Sequence, residues 1–117
     1  MAKAKTGAFP EEVRDLLMQR ADGRCERCGT PMSSFQIHHR RPRGMGGSRL
    51  PDTGGASNGL VLHPHCHLWI ETHRKAAASL GFLVGQGRQT ESAEVRMSDG
   101  WFLLTADGQR MPYSPDA

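Results

Sequence analysis

Apolar positions recur at helical spacing in two segments of the chain. In the first, Val13 and Leu17 lie on one face, Pro10 and two glutamates precede them, and Gly23 follows. Proline and acidic residues are favoured in the first turn of a helix, and glycine is favoured just after its end. The pattern therefore predicts an N-terminal helix within residues 9–24 that serves as scaffold.

The second helical segment is predicted to begin at Pro64 and to end near Leu80, where Gly81 supplies a stop signal. Short apolar runs at 34–39 and 60–63 are typical of strands. Further short strands are predicted at 82–84, 93–97 and 101–104.

Residues 40–59 separate the first two predicted strands and are rich in glycine and proline. Unstructured connections of this length in small domains are usually functional. The two strands and the helix that follows them form a candidate core, and the whole pattern indicates an α+β fold. The predicted organisation is a basic disordered tail at 1–8, a helix at 9–24, a core at 25–81, C-terminal strands packing on that core at 82–113, and a frayed tail at 114–117.

Composition points to a single domain that needs help from something besides its apolar interior. The chain has 117 residues, of which 37% are hydrophobic and only 6% aromatic. Small domains with thin cores are often stabilised by a structural metal. The absence of an apolar leader or a run of transmembrane length leads us to expect a soluble, cytoplasmic protein with no membrane partner.

The three cysteines suggest what that metal site is made of. An odd number of cysteines that includes a C-x-x-C pair favours metal binding in a reducing compartment over a disulfide framework. Cys25 and Cys28 form one knuckle, and His63 and Cys66 form a second with the same spacing. Thiolate and imidazole ligands in a closed set of four are typical of structural zinc. We therefore predict a zinc site that joins the first knuckle to the start of the second helix.

Two alternatives to this zinc site remain open. The imidazole ligand could be His65 instead of His63, although His65 adjoins Cys66 directly and lacks the knuckle spacing. Cys66 could also be an ordinary buried thiol.

Four further polar residues follow one another in an order that allows them to converge. His38 and His39 end the first predicted strand, Asn58 precedes the second, and His67 lies at the start of the helix. A hairpin would fold the end of the first strand against the helix N-terminus and bring these side chains around one point. A surface histidine pair beside arginines is the simpler reading of His38 and His39 alone.

The motifs that carry these residues span about half of the chain. They are Cys25-x-x-Cys28, Ile37-His38-His39-Arg40-x-Pro42-Arg43-Gly44, Asn58-Gly59-Leu60-x-Leu62 and Cys66-His67-x-Trp69-Ile70. This region resembles the HNH endonucleases, particularly the small phage-encoded type. Two positions depart from the family pattern: His63 stands where a third zinc cysteine is usual, and His38 stands where many relatives have aspartate.

The resemblance implies a ββα-metal fold and a metal-dependent DNA endonuclease. His39 would be the general base that activates water, and Asn58 would orient it. His38 and His67 would hold one divalent cation (Mn²⁺, Mg²⁺, Ni²⁺ or Zn²⁺) at the leaving 3′ oxygen, which gives 5′-phosphate products. Glu71 lies one helical turn after His67 and is a candidate third ligand, although a solvated glutamate is an equal alternative.

The positive charge of the chain is concentrated near this predicted site. The net charge is +3, and Arg40, Arg41, Arg43 and Arg49 lie on the loop after the first strand. Arginine suits phosphate oxygens, so we expect salt-sensitive contacts to the DNA backbone. A solvated run of charge is the alternative.

Two other classes of function compete with the nuclease. A zinc-stabilised DNA-binding module would bind DNA without cleaving it, and a zinc-ribbon adaptor would bind protein. The phage resemblance would add phage packaging proteins as partners and the host cytoplasm as the place of action. The oligomeric state and the choice between nicking and double-strand cleavage stay open.

Overall fold

A computed structural model describes residues 7–43 and 50–114 of the chain. The helices are α1 (Glu11–Ala21), α2 (Pro64–Thr72) and α3 (Arg74–Ser79). The strands are β1 (Gln36–His39), β2 (Gly59–Leu62), β3 (Val95–Met97), β4 (Gly100–Leu104) and β5 (Arg110–Pro112). Two 3₁₀ turns lie at Ala56–Asn58 and Thr90–Ser92.

Strands β1 and β2 form an antiparallel pair in which Gln36 lies opposite Leu62 and His39 lies opposite Gly59. His63 alone separates β2 from α2, so the helix begins directly beside the hairpin. The predicted order of strand, long connection, strand and helix is therefore found. Its consequence is that the C-terminal end of β1 lies close to the first turns of α2.

Strand β2 is the centre of the apolar interior because all four of its residues are buried. Successive side chains of a strand point to opposite faces. Leu60 and Leu62 pack in the main cluster, whereas Val61 packs with Leu17 of α1 in a second cluster. Helix α1 therefore covers the hairpin face opposite the main core.

The C-terminal strands form an antiparallel sheet in the order β3-β4-β5. Val95, Met97 and Leu104 join the main cluster, so this sheet packs on the core. The expected α+β class is confirmed: within the described ranges the domain has three helices and two small antiparallel sheets. No helix within those ranges is long and apolar enough to cross a bilayer.

Three details of the predicted elements were wrong. The helix from Pro64 does not run unbroken to Leu80, because His73 adopts a non-helical conformation between α2 and α3. The hydroxyl of Thr72 and the ring of His73 both lie within bonding distance of helix carbonyls at this break. Such side chains compete with the backbone hydrogen bonds of a helix.

The segment 82–84 is not a strand, and β5 was not predicted. Phe82 and Val84 are buried, but their backbone groups bond singly to Ala77 and Arg40 instead of forming a ladder. The apolar residues Phe82 and Val84 gave a strand-like pattern in the sequence because they are buried, and they form no strand.

The ends of the chain also differ from expectation. Residues 1–6 and 115–117 of the predicted tails lie outside the described residues. Gly7, however, lies against the hairpin loop and accepts a hydrogen bond from the ring of His39. The predicted tail at 1–8 therefore includes residues that pack on the domain.

Candidate metal centres and candidate active site

The three cysteines meet at one point. Their sulfur atoms all lie within 4.8 Å of one another, with Cys25 and Cys66 buried and Cys28 exposed. Cys66 lies in the first turn of α2, and Gly29 takes a φ of 78° as it closes the first knuckle. Few residues other than glycine adopt that conformation readily. The cluster could hold a metal ion such as zinc, because three soft thiolates suit it.

Hydrogen-bond donors approach two of the three sulfur atoms. Nη1 of Arg27 donates to Sγ of Cys66 at 3.4 Å, and the backbone N–H of His63 donates to Sγ of Cys25 at the same distance. Burial nevertheless raises the pKa of the Cys66 thiol to about 11, although the contact with Arg27 lowers it. A metal ion at the cluster would supply the positive charge that a thiolate ligand needs.

His63, the predicted fourth ligand, lies near the cysteines but is not brought among them. Its Nε2 atom is 2.8 Å from Oγ1 of Thr30, and that hydroxyl is 3.1 Å from Sγ of Cys28. The exposed ring of His65 stacks on His63 with centroids 4.7 Å apart. Three of the four predicted ligands are thus together, and the hydroxyl of Thr30 lies between the ring of His63 and the sulfur of Cys28.

A second group of side chains that could hold a metal ion lies where β1 ends and α2 begins. One ligating atom each from His38, His67 and Glu71 lies within 4.8 Å of the other two. His67 and Glu71 share a face of α2 because they are four residues apart. Catalytic metal sites use two imidazoles and one carboxylate as protein ligands and leave a further coordination position open for water or substrate.

Hydrogen bonds fix which ring nitrogen each histidine can offer to a metal. His38 donates from Nε2 to the carbonyl oxygen of Phe82 at 2.7 Å, which leaves Nδ1 as its lone-pair nitrogen. His67 donates from Nδ1 to Oε1 of Gln36 at 2.7 Å, which leaves Nε2. Partners of this kind orient metal-binding histidines. Burial lowers the pKa of His38 to about 4, so this ring is neutral and able to bind a metal at neutral pH.

His39 lies in the same open cavity as this group. The cavity has a volume of about 280 Å³ and is lined by Ile37, His38, His39, Pro42, Arg43, His67 and Glu71. The Nε2 atom of His39 donates to the carbonyl oxygen of Gly7 at 2.8 Å, and its ring stacks on Phe9. Burial lowers the pKa of His39, which keeps its ring neutral and able to accept a proton.

Asn58, which was predicted to orient His39, makes its side-chain hydrogen bonds to the loop that follows β1. Its Oδ1 accepts from the backbone N–H of Arg41 at 2.6 Å, and its Nδ2 donates to the carbonyl oxygens of Arg41 and Thr53. The amide therefore uses both of its hydrogens and its oxygen on the loop backbone. Among the described residues these side-chain hydrogen bonds hold the loop, and none of them reaches the ring of His39.

Two of the four predicted DNA-binding arginines are buried. Arg40 is 0% exposed and donates to the carbonyl oxygens of Gly81, Ser57, Thr90 and Ala93. Arg41 is 2% exposed and binds Asp52, Thr53 and the carbonyl oxygen of Arg88. The prediction of phosphate contacts was wrong for both, because these side chains bond to the protein's own carbonyl and carboxylate oxygens.

The other two arginines have different outcomes. Arg43 is partly exposed and lines the cavity beside His39. Arg49 lies outside the described residues. Arg43 is therefore the described arginine of the predicted set that has access to a substrate.

Sequence reasoning missed several residues that shape these sites. Gln36 is two positions before His38 and so shares its face of β1, a signal that alternation along the strand contains. Thr30, Gly7 and Phe9 had no comparable signal, because each reaches its histidine only through the tertiary fold.

The chain was also compared with known proteins. No protein-family model matches it, and no curated protein shows significant similarity to it. The chemistry of the site therefore carries the functional interpretation.

Proposed function

We propose that this protein is a metal-dependent endonuclease of the HNH type that hydrolyses phosphodiester bonds of DNA. The observation that carries the proposal is the convergence of His38, His67 and Glu71 beside His39 in one open cavity. A neutral histidine beside a three-ligand metal site can supply the general base and the Lewis acid that metal-assisted hydrolysis of a phosphodiester uses.

His39 is the general base. The Gly7 carbonyl accepts a hydrogen bond from Nε2–H, so the lone pair lies on Nδ1. Nδ1 takes a proton from water as the water oxygen attacks phosphorus, and the bond from phosphorus to the 3′ oxygen breaks. The departing 3′ oxygen takes a proton from solvent water, and His39 releases its proton to solvent. The products have a 5′-phosphate and a 3′-hydroxyl.

His38, His67 and Glu71 would hold the divalent cation. When bound, that cation would neutralise phosphate charge and stabilise the departing 3′ oxygen. Arg74 donates a hydrogen bond to Oε2 of Glu71 at 3.0 Å, and both side chains are exposed, so this surface ion pair restrains the carboxylate only weakly. An imidazole-rich site favours Mn²⁺, Ni²⁺ or Zn²⁺ over Mg²⁺.

Arg43 contacts a substrate phosphate in this proposal. It lines the cavity with the metal-binding group, and a guanidinium matches phosphate oxygens in shape and charge. The cysteine cluster has a separate role, which is to hold a structural zinc with His63 as the fourth ligand. That zinc would tie the start of α2, and with it His67, to the N-terminal half of the domain.

Cleavage of supercoiled plasmid DNA tests the proposal. The protein is incubated with Mg²⁺, Mn²⁺, Ni²⁺ or Zn²⁺ beside the variants His39→Ala and His67→Ala. We expect nicking or linearisation by the parent protein with at least one of these ions and by neither variant. His73→Ala is the matched control, because His73 is an exposed histidine outside the cavity, and it should cleave normally.

Two outcomes of the plasmid assay would contradict the proposal. If the plasmid shifts on a gel but none of the four ions supports cleavage, the protein is a DNA-binding module and the nuclease proposal is wrong. Cleavage that survives in His39→Ala would refute the assignment of the general base.

A further inference from the structure

We propose that Gly7 and Phe9 are positioning residues for the general base, because together they orient the ring of His39. This inference rests on the proposed nuclease function for its catalytic meaning, whereas its structural part stands independently. Asn58 was the expected orienting residue, but its side chain is fully engaged by the loop backbone.

Two contacts fix the ring of His39 in this arrangement. The carbonyl oxygen of Gly7 accepts the hydrogen bond from Nε2 at 2.8 Å, which fixes the tautomer and the rotation of the ring. The ring of Phe9 stacks on the imidazole with centroids 4.1 Å apart and planes 18° apart. The hydrogen bond sets the direction of Nδ1, and the stack restricts tilting of the ring.

The surrounding residues leave space for this N-terminal segment. Gly59 lies opposite His39 in the hairpin and has no side chain, and a Cβ there would come within 3.1 Å of the Phe9 ring. A Cβ at Gly54 would come within 2.7 Å of the carbonyl oxygen of Ala8. Two glycines of the core therefore permit the close approach of the segment.

Gly7 itself is suited to its place. Its φ of 92° lies in the region that side chains other than glycine rarely adopt. A Cβ at this position would lie 3.0 Å from side-chain carbons of both Arg43 and Thr53. Gly7→Ala should therefore move the carbonyl oxygen away from His39 without removing any side chain.

The test uses the full chain with three variants. Phe9→Leu keeps an apolar side chain in the second cluster but removes the stack. Gly7→Ala displaces the carbonyl. Val13→Ala is the matched control, because Val13 packs in the same cluster as Phe9 and is not among the residues lining the cavity.

The first measurement is nitrogen and proton NMR of the histidine rings without an added active-site cation. In the parent protein we expect a slowly exchanging Nε2 proton on His39 and ring protons shifted by the phenylalanine above them. Gly7→Ala should lose the slow exchange, and Phe9→Leu should lose the ring-current shift. Parent-like signals in both variants would overturn the inference.

The second measurement is the single-turnover cleavage rate together with DNA affinity. Because small misplacements of a reacting group cost up to about 100-fold in rate, we expect Phe9→Leu and Gly7→Ala to slow cleavage by roughly 10- to 100-fold. The DNA affinity of Phe9→Leu should be unchanged, whereas Gly7→Ala also crowds Arg43, so its DNA affinity is not used as a criterion. Val13→Ala should cleave at the parent rate. Equal losses in Phe9→Leu and Val13→Ala would show a packing effect and refute positioning.

The two measurements separate this inference from the proposed function. If the parent protein does not cleave DNA, the nuclease proposal fails, and the NMR measurement still decides whether Gly7 and Phe9 hold the ring. If the parent cleaves and both variants cleave equally fast, only the positioning role fails.

Discussion

Arg40 is the side chain whose removal should damage this domain most. It follows His39 directly, and its guanidinium is buried among four backbone carbonyl oxygens from three separate segments, with donor–acceptor distances of 2.7–3.2 Å. Burial lowers its pKa, but the four acceptors match the donors of the charged form. Arg40→Met keeps an apolar stem of similar length and removes every one of these bonds.

The size of the effect follows from the acceptors that lose their donor. The carbonyl oxygen of Thr90 also accepts from the backbone N–H of Ala93 at 3.4 Å, so the other three are left without a partner. A buried acceptor without a partner costs at least about 1 kcal/mol, so Arg40→Met should lower the free energy of unfolding by about 3 kcal/mol. Domains of this kind are stable by only about 5–15 kcal/mol. The corresponding decrease in Tm is roughly 12 °C for a chain of this size.

Urea unfolding with zinc in excess measures the change, with circular dichroism and tryptophan fluorescence as probes. Arg14→Met is the matched control, because Arg14 is exposed on α1 and its loss should change the free energy by less than about 0.5 kcal/mol. Arg40→Lys should fall between them, since one ammonium group cannot reach all four oxygens.

The result also separates two interpretations of Arg40. If Arg40→Met unfolds at the same urea concentration as the parent but loses salt-dependent DNA affinity, Arg40 contacts DNA and the reasoning from burial is refuted. A large loss of stability in Arg40→Met but not in Arg14→Met supports the structural role.

Three further predictions concern zinc, acid and the second metal site. A strong chelator with mild heat should unfold the parent, and Cys66→Ser should unfold at lower temperature without added chelator; circular dichroism that chelation leaves unchanged would contradict a structural metal. The Arg41 guanidinium holds the pKa of the Asp52 carboxyl well below its usual range. The ionised carboxylate therefore stabilises the fold above the ordinary pKa of about 4, and this contribution to the free energy of unfolding is lost as the pH falls below that value. The urea midpoint of the parent should therefore fall more steeply below that pH than that of Asp52→Asn, and parallel curves would count against it. Gln36→Leu should weaken divalent-cation binding by roughly 10- to 100-fold in calorimetry, because His67 loses its orienting partner, and an unchanged affinity would exclude that role.

Periodicity and turn chemistry predicted much of the secondary structure. The helix after Pro10, the strand ending at His39 and the helix after Pro64 are all found near their predicted positions. These signals are local, because spacing, proline and glycine act within a few residues of themselves. The break at His73 was missed because it depends on the competition between side-chain and backbone hydrogen bonds within a single turn.

Most members of the two candidate metal sites could also be predicted from the sequence, although His63 is not among the three cysteines of the first. The spacing of Cys25, Cys28 and Cys66 indicated one cluster, and the order of His38 and His67 around a hairpin indicated the other. Residue type and spacing specify ligand chemistry because metals select donor atoms.

Only the tertiary structure decided how the neighbours of those groups are used. The sequence predicts that Arg40 and Arg41 lie on a basic loop. In the structure both side chains are buried and bond to carbonyl oxygens of separate segments. His39 is held by Gly7, which is 32 residues away, because the N-terminal segment packs against the hairpin. Burial and long-range hydrogen bonds depend on which surfaces meet, and that information belongs to the folded chain as a whole rather than to any short stretch of its sequence.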